Sequence, residues 1–126
     1  MSRKRILSVG QCGADHYGIS AFLRSHLEVD VEAAHSANEA IQTLKRGGYD
    51  LVLVNRLLDR DGSRGLDLIR HMNADPDLKR TPVMLISNHE NAQQEALAAG
   101  ALRGFGKAEM DDAAAKRVKA ALSGEA

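Results

Sequence analysis

Residues 49–55 read YDLVLVN, and residues 81–87 read TPVMLIS. Each stretch contains four consecutive apolar residues, half of them β-branched, and ends on a polar residue. Strands buried on both faces of a sheet are apolar without alternation, so both stretches predict central strands of a parallel sheet. The polar residues Asn55 and Ser87 are then expected at the carboxyl edge of that sheet, where open α/β sheets bind their ligands.

On both sides of these two strands, short apolar runs alternate with segments of helical periodicity along the whole chain. Such alternation predicts an α/β fold, in which helices cover both faces of a parallel sheet. The strands are predicted at Ile6–Val9, Val29–Ala34, Tyr49–Val54, Val83–Ile86 and Leu102–Gly106. The helices are predicted around Ile19–Leu27, Ala37–Leu44, Leu66–Met72, Asn91–Ala99 and Met110–Leu122. Within this scheme, the alternating polarity of residues 29–34 indicates an edge strand.

Two local signals mark the start of the second helix. Ser36 is followed three residues later by Glu39, which is the spacing of a capping box. In that arrangement the serine hydroxyl accepts the N–H of Glu39, and the glutamate carboxylate accepts the N–H of Ser36. Capping is therefore expected to fix this helix boundary.

Length and composition favour one globular domain over residues 1–126, with a core spanning about residues 5–122. The chain has 17 Lys and Arg and 17 Asp and Glu residues, so its net charge is zero. That balance gives no basis for bulk attraction to nucleic acid or membranes, and it leaves little repulsion against homodimer formation. The single cysteine, Cys12, excludes an internal disulfide, so a cytoplasmic location is expected.

Four motifs together resemble the receiver domains of bacterial two-component response regulators. They are YDLVLVN, GLDLIR, TPVMLIS, and AAGA followed by a lysine, and the resemblance extends from Ile6 to Leu122. It implies a flavodoxin-like, doubly wound sheet with strand order 2-1-3-4-5. It also implies a non-enzymatic signalling domain that acts on a protein partner.

The same resemblance implies a phosphorylation pocket, and this sequence departs from it at the reacting positions. Asn55 stands where the phosphoaccepting aspartate is expected, and a neutral amide is a poor nucleophile. Gly10 and Gln11 stand where an acidic pair helps to hold Mg²⁺, a cation that requires oxygen ligands. We therefore expect a degenerate pocket that holds neither a metal nor another cofactor.

Some of the remaining pocket positions match the family pattern and others depart from it. Ser87 and Lys107 match the hydroxyl and the lysine that bind phosphoryl oxygens, whereas Gly104 replaces the aromatic residue that reports the switch. The loops after the first and third strands are longer than the family pattern and contain the acids Asp15 and Asp59. Asp61 lies in the same third loop. A buried lysine needs a counter-charge, so we predict that Asp59 or Asp15 pairs with Lys107.

Three hypotheses for function follow. The main one is a receiver-like domain that signals through protein–protein interaction without aspartate phosphorylation. Its interaction face would include Leu102, Arg103 and Gly104, because related receivers use the corresponding surface. The first alternative is a sensor of a small ligand or anion, using the altered pocket. The second is a phosphorelay receiver with a displaced acceptor, Asp59 or Asp61.

Overall fold

The structure, a computed structural model, describes residues 3–125, and in that range five strands alternate with five helices. None of these helices combines the length and the apolarity that crossing a bilayer requires. The strands are β1 (Lys4–Val9), β2 (Val29–Ala34), β3 (Leu51–Asn55), β4 (Val83–Ile86) and β5 (Leu102–Phe105). The helices are α1 (Gly13–His26), α2 (Ala37–Lys45), α3 (Gly65–Ala74), α4 (Glu90–Ala98) and α5 (Asp112–Ser123).

All five strands pair in parallel, in the order β2-β1-β3-β4-β5. This confirms the predicted flavodoxin-like topology, including the edge position of β2. The order of the strands reverses between β1 and β3, because β1 pairs with β2 on one side and with β3 on the other. Residues that follow β1 and β3 therefore meet at the crevice where this fold binds its ligands.

The sheet separates two apolar layers. On one face, α1 and α5 pack against strand residues such as Ile6 and Leu53. On the other face, α2, α3 and α4 pack against Leu7 and Val54. Successive strand residues point to opposite faces, so burying both faces requires uninterrupted apolar strands. This explains the LVLV and VMLI runs from which the fold was predicted.

Two details of the helices differ from the sequence-based prediction. Ser36 caps α2 by accepting the N–H of Glu39 at 3.2 Å, but the Glu39 carboxylate accepts from the N–H of His35 instead of Ser36. In addition, α1 begins directly at Gly13, so Asp15 lies in its first turn and not in an extended loop. An acidic residue in the first turn favours an early helix start, because the backbone N–H groups there carry partial positive charge.

Candidate functional site

The carboxyl edge of the sheet brings together most of the residues predicted for the pocket. Asn55 ends β3, Ser87 follows β4 and Lys107 follows β5, and all three line one cavity of about 140 Å³. Asn55 Oδ1 lies 3.4 Å from Lys107 Nζ. The predicted assembly of these side chains is therefore present, although its chemistry differs from that of a phosphorylation pocket.

The side chain of Asn55 is held as a hydrogen-bond donor. Its Nδ2 atom donates to the carbonyl oxygen of Gly10 at 3.1 Å and to that of Leu57 at 2.8 Å. Both bonds require N–H groups, and an ionised carboxylate can only accept. Position 55 thus ties the end of β1 to the β3–α3 loop through an amide, and an aspartate there would face two carbonyl oxygens.

Leu58 occupies the space beside Gly10. It is only 1% exposed and belongs to the core on the α2–α3–α4 face of the sheet. A Cβ atom on Gly10 would lie 2.4 Å from Leu58 Cδ2 and 2.8 Å from Leu58 Cα, and the backbone of Gly10 has φ +76°. The N–H of Asp59 donates to the Gly10 carbonyl at 2.9 Å, which holds the loop in place. The packing therefore excludes a side chain, and with it an acid, at position 10.

Gln11 is buried, with 2% of its surface exposed. Neither amide atom of its side chain has a hydrogen-bond partner within residues 3–125. An amide offers an oxygen to a cation but no negative charge. Within the same residues, no group of three His, Cys, Asp or Glu side chains is placed to hold a metal ion.

The magnesium ion that receiver pockets bind does not fit these residues. Position 10 has no side chain, position 11 is neutral, and the amide nitrogen of Asn55 is directed at carbonyl oxygens. Mg²⁺ in proteins is bound through one or more carboxylates, because dehydrating it requires strong charge compensation. These residues therefore do not form a magnesium site.

Lys107 forms an ion pair with Asp15 across the pocket. The Nζ–Oδ2 distance is 2.6 Å, and the two side chains are 31% and 41% exposed. The hydrogen bond from Lys107 lowers the pKa of the Asp15 carboxyl, and the nearby Cys12 thiol lowers it further. This confirms the predicted pairing with Asp15, whereas the expectation that Lys107 is buried was wrong.

The other two candidate acids have different roles. Asp61 Oδ1 accepts the N–H of Ser63 at 2.9 Å, and the Ser63 side chain together with this backbone bond lowers the pKa of Asp61. Asp59 contributes its backbone N–H to Gly10, and its side chain is exposed. Within residues 3–125, the carboxylate in salt-bridge contact with Lys107 is that of Asp15. Of the two acids predicted as alternatives for the counter-charge, Asp15 pairs with the lysine and Asp59 does not.

Gln93 on α4 links β4 to β5, a role that the sequence analysis missed. Its Nε2 donates to the carbonyls of Leu85 and Ser87 at 2.9 and 3.1 Å, and its Oε1 accepts the N–H of Gly104 at 3.0 Å. The side chain is 4% exposed and lies where the β4–β5 register shifts. The available signal was a glutamine three residues before buried Ala96, on the inward face of α4.

The expected interaction face at β5 needs correction. Leu102 is half-buried against the core, and Gly104 is buried, so of the three predicted residues only Arg103 is exposed. The extra residue of β5 at the register shift brings Gly104 against β4, where a Cβ atom would lie 2.1 Å from the Leu85 carbonyl oxygen. This close approach leaves no room for an aromatic side chain at position 104. Arg103 pairs with Glu90 and lowers the pKa of that carboxyl to about 2.

Comparison with known proteins agrees with this architecture. The response regulator receiver domain family matches residues 15–119 of the chain. A protein from Chloroflexus aurantiacus assigned as a response regulator superimposes with a TM-score of 0.85 at 23% identity, covering 97% of this chain and 99% of its own. The receiver domain of a histidine kinase from Syntrophus aciditrophicus gives 0.79 at 26% identity, covering 96% and 91%. The receiver domain of sensor histidine kinase PA1611 from Pseudomonas aeruginosa, solved with a magnesium ion in its active site cleft, gives 0.78 at 22% identity and covers 98% and 99%.

Curated relatives match over a shorter stretch. Chemotaxis protein CheY-3 of Vibrio cholerae is 32% identical over 73 residues, which span 56% of this chain and 55% of that protein. The two-component response regulator-like protein APRR1 of Arabidopsis thaliana is 29% identical over 68 residues, spanning 54% of this chain and 11% of that protein. The family model matches most of this chain, and the strand order agrees with the one that the resemblance implied. The chain therefore belongs to the response regulator receiver domain family.

Proposed function

We propose that this chain is a receiver domain that signals through protein contacts and is not phosphorylated on an aspartate. It would act in the cytoplasm, in two-component signalling of the bacterial type, without enzymatic activity. The contact between Gly10 and Leu58 is the observation that carries the proposal. A receiver needs acidic oxygens at this edge of the sheet, and here an aliphatic side chain fills the space that one of them would need.

The hydrogen bonds of Asn55 support the same proposal. Phosphoryl transfer to this position would require a free carboxylate oxygen to attack phosphorus. The amide nitrogen is instead committed to the carbonyls of Gly10 and Leu57, and the amide oxygen faces Lys107. The position therefore acts as a fixed structural link between β1, the β3–α3 loop and β5.

Two further contacts favour a domain that stays in one conformational state. Asp15 already provides Lys107 with the negative charge that a phosphoryl group would bring. Gln93 fixes the junction of β4 and β5, where a switching receiver moves an aromatic side chain. Partner binding would then depend on the abundance and location of this chain and not on its phosphorylation.

Titration with magnesium and then beryllofluoride, followed by NMR of the ¹⁵N-labelled protein, tests the proposal. Beryllofluoride with Mg²⁺ mimics the phosphoryl group in a receiver pocket. We expect no saturable shift of the amides of residues 10, 55, 87 and 107, because the acidic ligands are missing. The receiver domain of PA1611, in which magnesium is observed, provides the positive control. Saturable shifts of those amides at similar concentrations would contradict the proposal.

A second candidate, the binding of a small anion, is favoured by the cavity itself. Its lining includes Arg56, Ser87, His89 and Lys107, which present positive charge and hydrogen-bond donors around about 140 Å³. The ion pair with Asp15 opposes this function, because an incoming anion would have to displace that carboxylate. Thermal unfolding with added phosphate or sulfate distinguishes the two. A rise in Tm that disappears in Lys107→Met would favour anion sensing, since a ligand of the folded state stabilises it by mass action.

A further inference from the structure

The β3–α3 loop forms a small hairpin that contains two adjacent leucines, one buried (Leu58) and one exposed (Leu57). The N–H of Leu58 donates to the carbonyl of Ser63 at 2.8 Å, and Leu57 and Arg64 form an antiparallel bridge. Leu58 points into the core, whereas Leu57 is 43% exposed. The segment whose buried leucine closes the pocket at Gly10 thus presents the neighbouring leucine to solvent. Leu58 and these backbone bonds hold the part of the backbone that carries Leu57.

A cavity of about 100 Å³ lies beside Leu57, between the hairpin and α4. Its apolar lining includes Leu66, Leu85 and Ala92, and Arg56, Arg64 and Glu95 complete the wall. An apolar cavity of roughly 150 Å³ can hold a benzene molecule. The cavity beside Leu57 therefore has the size of one aliphatic side chain.

The cavity wall carries Arg56 and Arg64 against the single carboxylate of Glu95, and Arg60 lies further along the same hairpin, so the charges favour an acidic partner. Within residues 3–125, Arg56 and Arg60 are exposed and have no carboxylate in salt-bridge contact. Arg64 has only Glu95, at 3.7 Å and on the protein surface, where such pairs contribute little. The hairpin also contains two acids, of which Asp61 accepts the N–H of Ser63 and Asp59 is exposed without lining the cavity. Unpaired arginines beside an apolar surface are well suited to bind carboxylates of another protein, because guanidinium is weakly hydrated and binds carboxylates bidentately.

We propose that the hairpin and α4 form a docking site for an acidic peptide segment of a partner protein. One aliphatic side chain of that segment would enter the cavity beside Leu57, and its carboxylates would bind Arg56 and Arg60. A single exposed leucine is ordinary on a protein surface. What distinguishes this surface is the combination of an exposed leucine on a hydrogen-bonded hairpin, an adjoining apolar cavity and two arginines without a salt bridge within residues 3–125. The inference rests on the proposed function only in assuming that the domain works through protein contacts.

The test is an NMR titration of the ¹⁵N-labelled protein with the peptide acetyl-EDDELLDEE-amide, up to millimolar concentration. It is run in EDTA and without a phosphoryl donor. The comparison peptides are EDDESSDEE, which lacks the aliphatic side chains, and KRKKLLKRK, which reverses the charge. We expect saturable shifts confined to residues 56–66 and 92–95 with the first peptide only. Absence of saturable shifts at the highest concentration, or shifts located on residues 102–119, would overturn the docking site.

Variants make the test specific to the named residues. Arg56→Ala is expected to weaken binding of the acidic peptide about fivefold to tenfold, as one interface arginine does. Leu57→Ser should weaken it similarly, and Arg56→Glu combined with Arg60→Glu should abolish it. Lys116→Ala with Lys119→Ala, on exposed positions of α5, is the matched control and should change nothing. Equal weakening in that control would overturn the site and indicate only general charge attraction.

The spectrum of each free variant verifies its fold before titration. The outcome is also separable from the proposed function. Phosphorylation of an aspartate would defeat that proposal without affecting the peptide titration, and failure of the titration would leave the inert pocket unchanged.

Discussion

Gly10 and Leu58 lie so close together that a Cβ atom on the glycine would be 2.4 Å from Leu58 Cδ2. This contact joins the end of β1 to the β3–α3 hairpin and buries Leu58 almost completely. An acidic residue is therefore absent at position 10, and the space that its side chain would need is filled by Leu58. Restoring the family's acidic residues by substitution would therefore disturb the packing.

Gly10→Asp should destabilise the protein by at least about 2 kcal/mol. The new side chain would overpack against Leu58, which typically costs about 1–3 kcal/mol, and the positive φ adds backbone strain. Urea unfolding followed by circular dichroism measures this loss. Gly13→Asp is the matched control, because no atom lies within 4 Å of its Cβ position and it starts α1, where an acid is favourable. Equal stability of the two variants would show that Leu58 readily moves aside.

Asn55→Asp should destabilise the protein at neutral pH by about 1–3 kcal/mol. The carboxylate would lose both N–H bonds and face the carbonyls of Gly10 and Leu57, with only partial compensation from Lys107. The loss should shrink at acidic pH, because a protonated carboxyl can donate one hydrogen bond. Urea unfolding at several pH values checks this, with Asn38→Asp on the exposed surface of α2 as control. A variant as stable as the parent at pH 7 would refute the structural role of the amide.

Gln93→Ala should destabilise the protein by about 2–4 kcal/mol, since it leaves two carbonyls and one N–H without their partner in a buried place. Gln94→Ala removes an exposed bond to Glu90 and should change stability by less than about 0.5 kcal/mol. Hydrogen exchange adds a local measurement, because the amide of Gly104 should lose its protection in Gln93→Ala. Equal effects of the two alanine substitutions would contradict the proposed link between β4 and β5.

The ion pair between Asp15 and Lys107 should contribute about 0.2–1 kcal/mol, because both side chains are partly exposed and screened by salt. A double-mutant cycle with Asp15→Asn and Lys107→Met measures this coupling. The pKa of Asp15 lies below its usual 3.8 in the folded state. The stabilisation is therefore complete above that pH and is lost as the pH falls through the lower folded-state value. A coupling energy that stayed constant under acidification would contradict this assignment.

The fold could be predicted because its signals are local. The runs LVLV and VMLI are apolar on both faces, and that requires central strands covered by helices on either side. The positions of Asn55, Ser87 and Lys107 followed directly, since residues after parallel strands meet at one edge of the sheet. The need of Lys107 for a counter-charge limited its expected partner to Asp59 or Asp15, and the structure shows that the partner is Asp15.

The remaining parts of the site depend on tertiary packing that sequence patterns do not encode. Leu57 and Leu58 are adjacent leucines in a polar loop, and only the hairpin geometry decides which one fills the space beside Gly10. The burial of Gly104 depends on the register shift between β4 and β5, and no sequence pattern near Gly104 indicates that shift. Gln93 was missed because its partners are backbone groups around two different strands, which no side-chain pattern marks.

The most direct test of the account is incubation of the protein with acetyl phosphate and Mg²⁺, followed by mass spectrometry of the intact chain and its peptides. Acetyl phosphate phosphorylates functional receiver domains directly, so a functional receiver serves as positive control. We expect the mass of this chain to stay unchanged while the control gains a phosphoryl group. A phosphoryl group on any aspartate of this chain, Asp59 and Asp61 included, would contradict it.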